Sequence, residues 1–220
     1  MTHVKLLYGR GELSVDLPET SDVTLIRKPK MPKLEDPTLA VESTLSSPTA
    51  SALLKNHAKN ARTACILICD ITRPVPNSLI LGPTIRRLMT LGVPLKHITV
   101  LIATGLHRPN EGTELEELIG DPWVLENVNV ENHFARDDSA HIEVGTTKKG
   151  NRILLDRRFV SADVKIVTGL VEPHFMAGYS GGRKVIAPGV AHAETITTFH
   201  SARYMEDPLA ANCNLEGNPL

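Results

Sequence analysis

The sequence predicts an α/β fold, Rossmann-like: a mainly parallel sheet flanked by helices, with an N-terminal β-hairpin. Three observations predict it. Apolar runs of buried-strand length stand at Ala64–Cys69, Ile98–Ala103 and Val164–Val167. Between the first two, residues 77–91 carry Leu79, Ile80, Ile85, Leu88 and Met89 at helical spacing, with Gly92 as a stop. Residues 4–17 alternate apolar and polar around Gly9-Arg10-Gly11, the pattern of a hairpin.

The elements follow in order. Residues 22–36 carry charges and prolines and read as a surface connection. Residues 37–61 read as two short helices, or one broken near Pro48, with Leu53 and Leu54 on the apolar face. The first main strand ends at Asp70, and the second at Thr104-Gly105. Residues 113–119 read as a helix opened by Thr113 with Glu116 three later, a capping box. Short strands are expected at 128–132 and 142–146, then the third main strand within 162–169. Residues 185–190 read as a loop or helix start, and 194–203 as a helix. Strands alternating with helices favour a parallel sheet with helices on both faces.

Composition narrows the function. The chain has 220 residues, a net charge of -1 and 4% aromatics. Neither a basic field nor a stacking surface for nucleic acid is present. No apolar run reaches transmembrane length. Cys65, Cys69 and Cys213 form no disulfide framework. A strand would put Cys65 and Cys69 on one face, as buried reduced thiols, and a cytoplasmic setting is expected. The sequence ends on a turn signal, Glu216-Gly217-Asn218-Pro219-Leu220, so a longer parent protein is expected.

Each main strand runs into polar residues: Asp70-Ile71-Thr72-Arg73-Pro74, Thr104-Gly105-Leu106-His107-Arg108-Pro109, and Gly169-Leu170-Val171-Glu172-Pro173-His174. Ligands of open α/β sheets bind at the carboxyl ends of the strands. If these strands are neighbours, Asp70, Arg73, His107 and His174 converge. Arg73 suits an anion, or alternatively a pairing with Asp70. The last segment continues through Gly178, Gly181, Gly182 and Arg183 to Lys184. Glycines allow close backbone approach to a ligand. A lysine ahead of Val185-Ile186-Ala187 should bury its stem, which lowers its pKa. Gly178 and Gly182 are four apart with Val185 after the lysine, so this is neither a P-loop nor a dinucleotide fingerprint. No zinc-type Cys/His spacing occurs. Most of the nine histidines sit in polar or loop contexts and read as surface or structural residues. The residues alone give an anion cradle, a proton-transfer group and a poised lysine. A nicotinamide-type oxidoreductase and a non-catalytic nucleotide-binding module both remain open on that description.

Taken together, Asp70-Ile71-Thr72-Arg73-Pro74, Ala103-Thr104-Gly105-Leu106-His107-Arg108-Pro109, the loop from His174 to Lys184 and the later His200 resemble the nickel-dependent lactate racemase family. The resemblance runs from about residue 60 to the end. It implies an isomerase, a racemase or epimerase of a small 2-hydroxy acid. The implied cofactor is a nickel-pincer nucleotide, nickel pyridinium-3,5-bisthiocarboxylic acid mononucleotide, supplied by maturation enzymes that are partners of the protein. Lys184 would hold it covalently, Asp70 would shape its pocket, and Gly181 and Gly182 would lie against the nucleotide. His200 would ligate nickel. His107 and His174 would be paired acid/bases, and Arg73 would hold the substrate carboxylate. The whole of residues 1–220 would be the N-terminal, cofactor-binding domain. The family's C-terminal domain would lie outside this chain, so the isolated fragment is expected to be inactive.

Overall fold

The computed structural model describes residues 1–220. The segment Met1–Glu35 forms one unit. In it β1 (Thr2–Tyr8) pairs antiparallel with β2 (Gly11–Leu17), as the alternating pattern predicts. Gly9 takes φ +57°, a left-handed value that a glycine accepts without strain.

The second unit, Asp36–Leu220, opens with α1 (Pro37–Ser46). Asp36 caps it by accepting from the Leu39 N–H at 2.9 Å, and proline fills the first turn. After a break containing Pro48 comes the short α2 (Leu54–His57), so the two-helix reading holds. Next are β3 (Ala64–Cys69), α3 (Asn77–Thr90), β4 (Ile98–Ala103), α4 (Thr113–Ile119), α5 (Pro122–Asn127) and β5 (Asn129–Asn132). An antiparallel pair, β6 (His141–Thr146) and β7 (Arg152–Asp156), leads to α6 (Arg157–Ser161) and β8 (Val164–Val167). The chain closes with β9 (Pro173–His174), β10 (Gly178–Tyr179), α7 (Arg183–Ile186), α8 (Ala193–Phe199) and α9 (Ala202–Met205).

Three boundaries differ from the sequence reading. Thr113 is not the cap of α4: Gly112 is, at φ +57°, and no side chain bonds the helix start. The left-handed glycine places Thr113 already inside the first turn, so the predicted capping box does not form. Helix α5 was not expected. It is only six residues long, and its signals are local: Asp121 accepts from Trp123 and Val124 N–H, and Pro122 follows. The helix expected over 194–203 is two, parted at His200 and Ser201.

The four central strands are all parallel, in the order β5-β4-β3-β8. From β3 the chain steps outward to β4 and β5, then returns to β8 on the other side of β3. A crevice at the carboxyl ends of such strands, where the chain reverses direction, is where α/β sheets bind ligands. Both faces of the sheet are covered. Ile66 and Ile68 pack with Leu81, Ile85 and Leu88 of α3, while Cys65 and Leu67 pack with Phe159 and Val185. Burial pushes the Cys65 thiol up to about 12, so it stays protonated, as expected of a structural cysteine.

Ile66 is fully buried in the central strand. Ile66→Ala should therefore cost about 2–5 kcal/mol, read by urea denaturation. A cost under about 1 kcal/mol would be a surface-like value, incompatible with that position.

Candidate active site

Three loops leave the carboxyl ends of β3, β4 and β8 and meet over the sheet. The first begins at Asp70, which is 5% exposed. Its Oδ1 accepts from the Thr72 N–H at 3.1 Å and the Thr72 hydroxyl at 2.5 Å, closing a tight turn. Its Oδ2 lies 2.5 Å from His107 Nδ1 on the second loop. Arg73 comes next, its Nε 3.8 Å from Glu172 Oε1 on the third loop. The expected alternative, Arg73 pairing with Asp70, does not occur; Asp70 is engaged by Thr72 and His107.

The second loop is held from below. The Thr104 hydroxyl donates to the His133 carbonyl at 2.7 Å, and the Gly105 N–H to the Gly189 carbonyl at 2.9 Å. The His107 N–H then turns back to the Thr104 carbonyl at 2.9 Å, and the ring stands out in solvent.

The third loop is a miniature hairpin of β9 and β10, pairing His174 with Gly178. Ser180 pins its neck: the buried hydroxyl donates to the Leu170 carbonyl at 2.7 Å and accepts from the Glu172 N–H at 3.1 Å. Gly181 lies at φ +71°, where a Cβ would stand 2.8 Å from the Leu170 carbonyl oxygen, so any side chain would collide. Gly182 faces open space and starts α7, which carries Lys184. The two glycines thus differ: Gly181 is required by packing, and Gly182 leaves room for a ligand.

Electrostatics favour an anion. Burial first, then the Arg73 charge, push the Lys184 ammonium below the ordinary lysine range, with Cys69 and Glu172 pulling the other way. His174 is also held below the usual histidine range, by burial and then by the charges of Lys184, Arg73 and His200. An anion among these groups would relieve the repulsion. His200 ends α8; its Nδ1 lies 3.0 Å from the Ile196 carbonyl oxygen.

Asp70, Arg73, His107, His174, Lys184 and His200 all line one cavity of about 330 Å³. Gly181, Lys184 and His200 also border a neighbouring cavity of about 560 Å³, to which Gly182 contributes. Every expected site residue therefore borders one or both of these cavities. Sequence reasoning passed over Ser180 and Glu172, which brace the loop and Arg73, and Phe175, stacked on His174 at 4.9 Å between ring centroids. Their only signal was position inside the glycine-rich segment. Of the other histidines, His133 is fully buried between Asp156 Oδ2 and the Ala191 carbonyl, each at 3.0 Å, a structural placement. No helix is long and apolar enough to cross a membrane.

The solved lactate racemase apoprotein of Thermoanaerobacterium thermosaccharolyticum superposes with a TM-score of 0.80 at 29% identity, covering 99% of this chain and 51% of that one. A crystal structure of a Thermotoga maritima protein matches at TM-score 0.66 and 23% identity over 81% of this chain and 44% of that one, a likeness of fold alone. The curated lactate racemase of Lactiplantibacillus plantarum is 35% identical over 180 residues, 82% of this chain and 42% of that protein. That of T. thermosaccharolyticum is 30% identical over 224 residues, 100% of this chain and 52% of that protein. The chain thus spans about half the length of the curated relatives it matches. The family model described as the lactate racemase N-terminal domain matches residues 8–212. With nearly its whole length matched, the chain belongs to the lactate racemase N-terminal domain family.

Proposed function

We propose that this chain is the cofactor-bearing N-terminal part of a cytoplasmic isomerase that racemises or epimerises a small 2-hydroxy acid such as lactate. A second domain and cofactor-maturation enzymes would complete the system. The observation that carries the reading is the single cavity shared by Asp70, Arg73, His107, His174, Lys184 and His200. The unpaired state of all three cysteines is in keeping with a reducing compartment.

The donor set fits a nickel-pincer nucleotide. Lys184 is half-buried with its pKa lowered, which favours the neutral, nucleophilic amine needed for a covalent link. His200 spends its Nδ1 proton on the Ile196 carbonyl, leaving Nε2 free to ligate a metal. No group of three His, Cys, Asp or Glu side chains is placed to hold a metal ion alone. One histidine beside a cofactor that brings its own donors matches that arrangement. When bound, the cofactor supplies an electrophilic ring able to take hydride from carbon.

The chain's own residues do the rest. Arg73, steadied by Glu172, offers a guanidinium fork to the substrate carboxylate. His107 takes the hydroxyl proton at Nε2 as the Cα–H bond breaks. Asp70 holds the His107 ring and stabilises the imidazolium that forms. His174 lines the same cavity and would be the paired acid/base for substrate of the opposite hand. Gly182 would leave the backbone open to the nucleotide, and Gly181 lets the loop pass close against Leu170.

The test is stereochemical. Full-length, cofactor-loaded protein should convert either enantiomer of lactate, or of another 2-hydroxy acid, to a mixture of both. Unchanged optical purity across a panel of such acids, with NAD-dependent oxidation in its place, would favour an oxidoreductase.

A further inference from the structure

The loop that carries His107 is tied down at Asn110, which is 1% exposed. Main chain and side chain of Asn110 are both engaged. Its N–H donates to Asn132 Oδ1 at 2.9 Å, and its carbonyl accepts from Asn132 Nδ2 at 2.9 Å. The amide at the end of β5 thus stands in for the peptide of a neighbouring strand. Asn110 Oδ1 accepts from the Ile71 N–H at 3.3 Å, and Asn110 Nδ2 donates to Glu114 of α4. Glu114 is ready for that bond. The Arg108 fork first, then Asn110, hold its carboxyl below the usual range, with Arg108 at 2.8 and 2.7 Å. An asparagine amide accepts and donates from one short planar group, which aspartate and leucine of similar shape cannot do. Asn110 therefore joins the loop after β3 to α4 and to β5.

We infer that Asn110 is a positioning residue for the reaction: it holds the main chain of the first loop where Asp70 meets His107. The reaction itself rests on the racemase reading above; the bond network does not. Asp70 and Ile71 are consecutive, and the second loop grips both. The His107 ring takes Asp70 Oδ2 at 2.5 Å, and the Asn110 amide takes the Ile71 N–H. The two bonds close a small ring between the loops, stiffened by Pro109, whose φ is fixed. His107 needs that help, because its side chain is 59% exposed and Asp70 is the partner that holds it. Asn110 does not border the cavity that Asp70 and His107 line, so it acts through them and touches no substrate. Losing the Ile71 bond would free the first loop to shift against the second. A misplacement of about 1 Å costs a rate on the order of 10²-fold.

The experiment compares Asn110→Ala with the parent in full-length protein. The first arm is a two-bond ¹H–¹⁵N correlation spectrum of ¹⁵N-histidine-labelled samples without cofactor. With Asp70 accepting, neutral His107 carries its proton on Nδ1 in the parent. The Ala variant should show a mixture of tautomers at His107, which a mere loss of stability in a folded sample would not produce. In the second arm, loaded with cofactor, it should keep the parent's nickel content. Its kcat should fall by about 10–10²-fold, with KM little changed. Asn110→Asp combined with Glu114→Gln reverses the bond to α4 but keeps an acceptor for Ile71. That double variant should restore the parent spectrum and most of the kcat. If Asn110→Ala does not fold, Asn110→Ser, whose oxygen sits one bond further back from Ile71, carries the same expectation. A folded Ala or Ser variant that keeps either the parent tautomer or the parent kcat overturns the inference. So does a double variant as impaired as Ala, or a parent with His107 protonated at Nε2. Loaded parent protein that racemises nothing would sink the racemase reading instead, and the spectra would still decide whether Asn110 holds His107 in place.

Discussion

Lys184→Ala should abolish cofactor retention. Protein co-expressed with the maturation enzymes should show a mass increment and bound nickel, and the Ala variant should show neither. The argument is chemical as well as positional. An ammonium is not a nucleophile, and a solvated lysine is almost wholly charged at neutral pH. Burial of Lys184, with Arg73 close by, lowers the cost of losing that proton. The backbone around it is closely held: the Lys184 N–H donates to the Gly181 carbonyl at 3.0 Å, and Gly181 cannot accept a side chain without displacing Leu170. Lys184→Arg separates tether from clamp. Arginine keeps the charge but supplies no amine. If it retains the mass increment, Lys184 serves as an electrostatic clamp and the covalent assignment fails.

The fold was legible where burial dictates composition. The runs Ala64–Cys69 and Ile98–Ala103 are buried on both faces, and such strands read as unbroken apolar stretches. Their order could not be read, because register between β3 and β8 depends on contacts about a hundred residues apart, such as Val164 N–H to the Thr63 carbonyl. What could be read was the consequence of adjacency: strand-end residues gather at one edge. If the strands are neighbours, that edge gathers Asp70, Arg73, His107 and His174, and all four line one cavity. The cap of α4 failed because Thr113 and Gly112 are both plausible starts, and only backbone geometry decides between them. The glycines were legible as necessary but not as unlike. Gly181 answers a steric demand from Leu170, eleven residues upstream, that no motif expresses. The contacts at the Nδ1 atoms of His107 and His174 were the least legible feature. They hang on the meeting of Asp70 with His107 and on two backbone amides folding back over His174.

His107→Ala should leave the cofactor bound and lower kcat by about 10²–10⁴-fold, the usual worth of a positioned acid/base. Asp70→Asn should come close to the same loss with the ring still present. The asparagine carbonyl can keep the two bonds from Thr72, so the turn should survive. Its amide would then face His107 Nδ1 as a donor. The imidazole must answer with a lone pair there, which moves its proton to Nε2 and blocks the atom that should accept from substrate. The same carboxylate-to-amide change behind the histidine of a serine-protease triad costs about 10⁴-fold in kcat for that reason. Three readouts separate this from mere damage. The mass increment and nickel content should match the parent, KM should change little beside kcat, and His107 should appear protonated at Nε2 in the two-bond ¹H–¹⁵N spectrum. An Asn variant with the switched tautomer and near-parental turnover would remove His107 as the base. One that loses its cofactor would instead make Asp70 part of the cofactor's pocket, the role the family resemblance first implied.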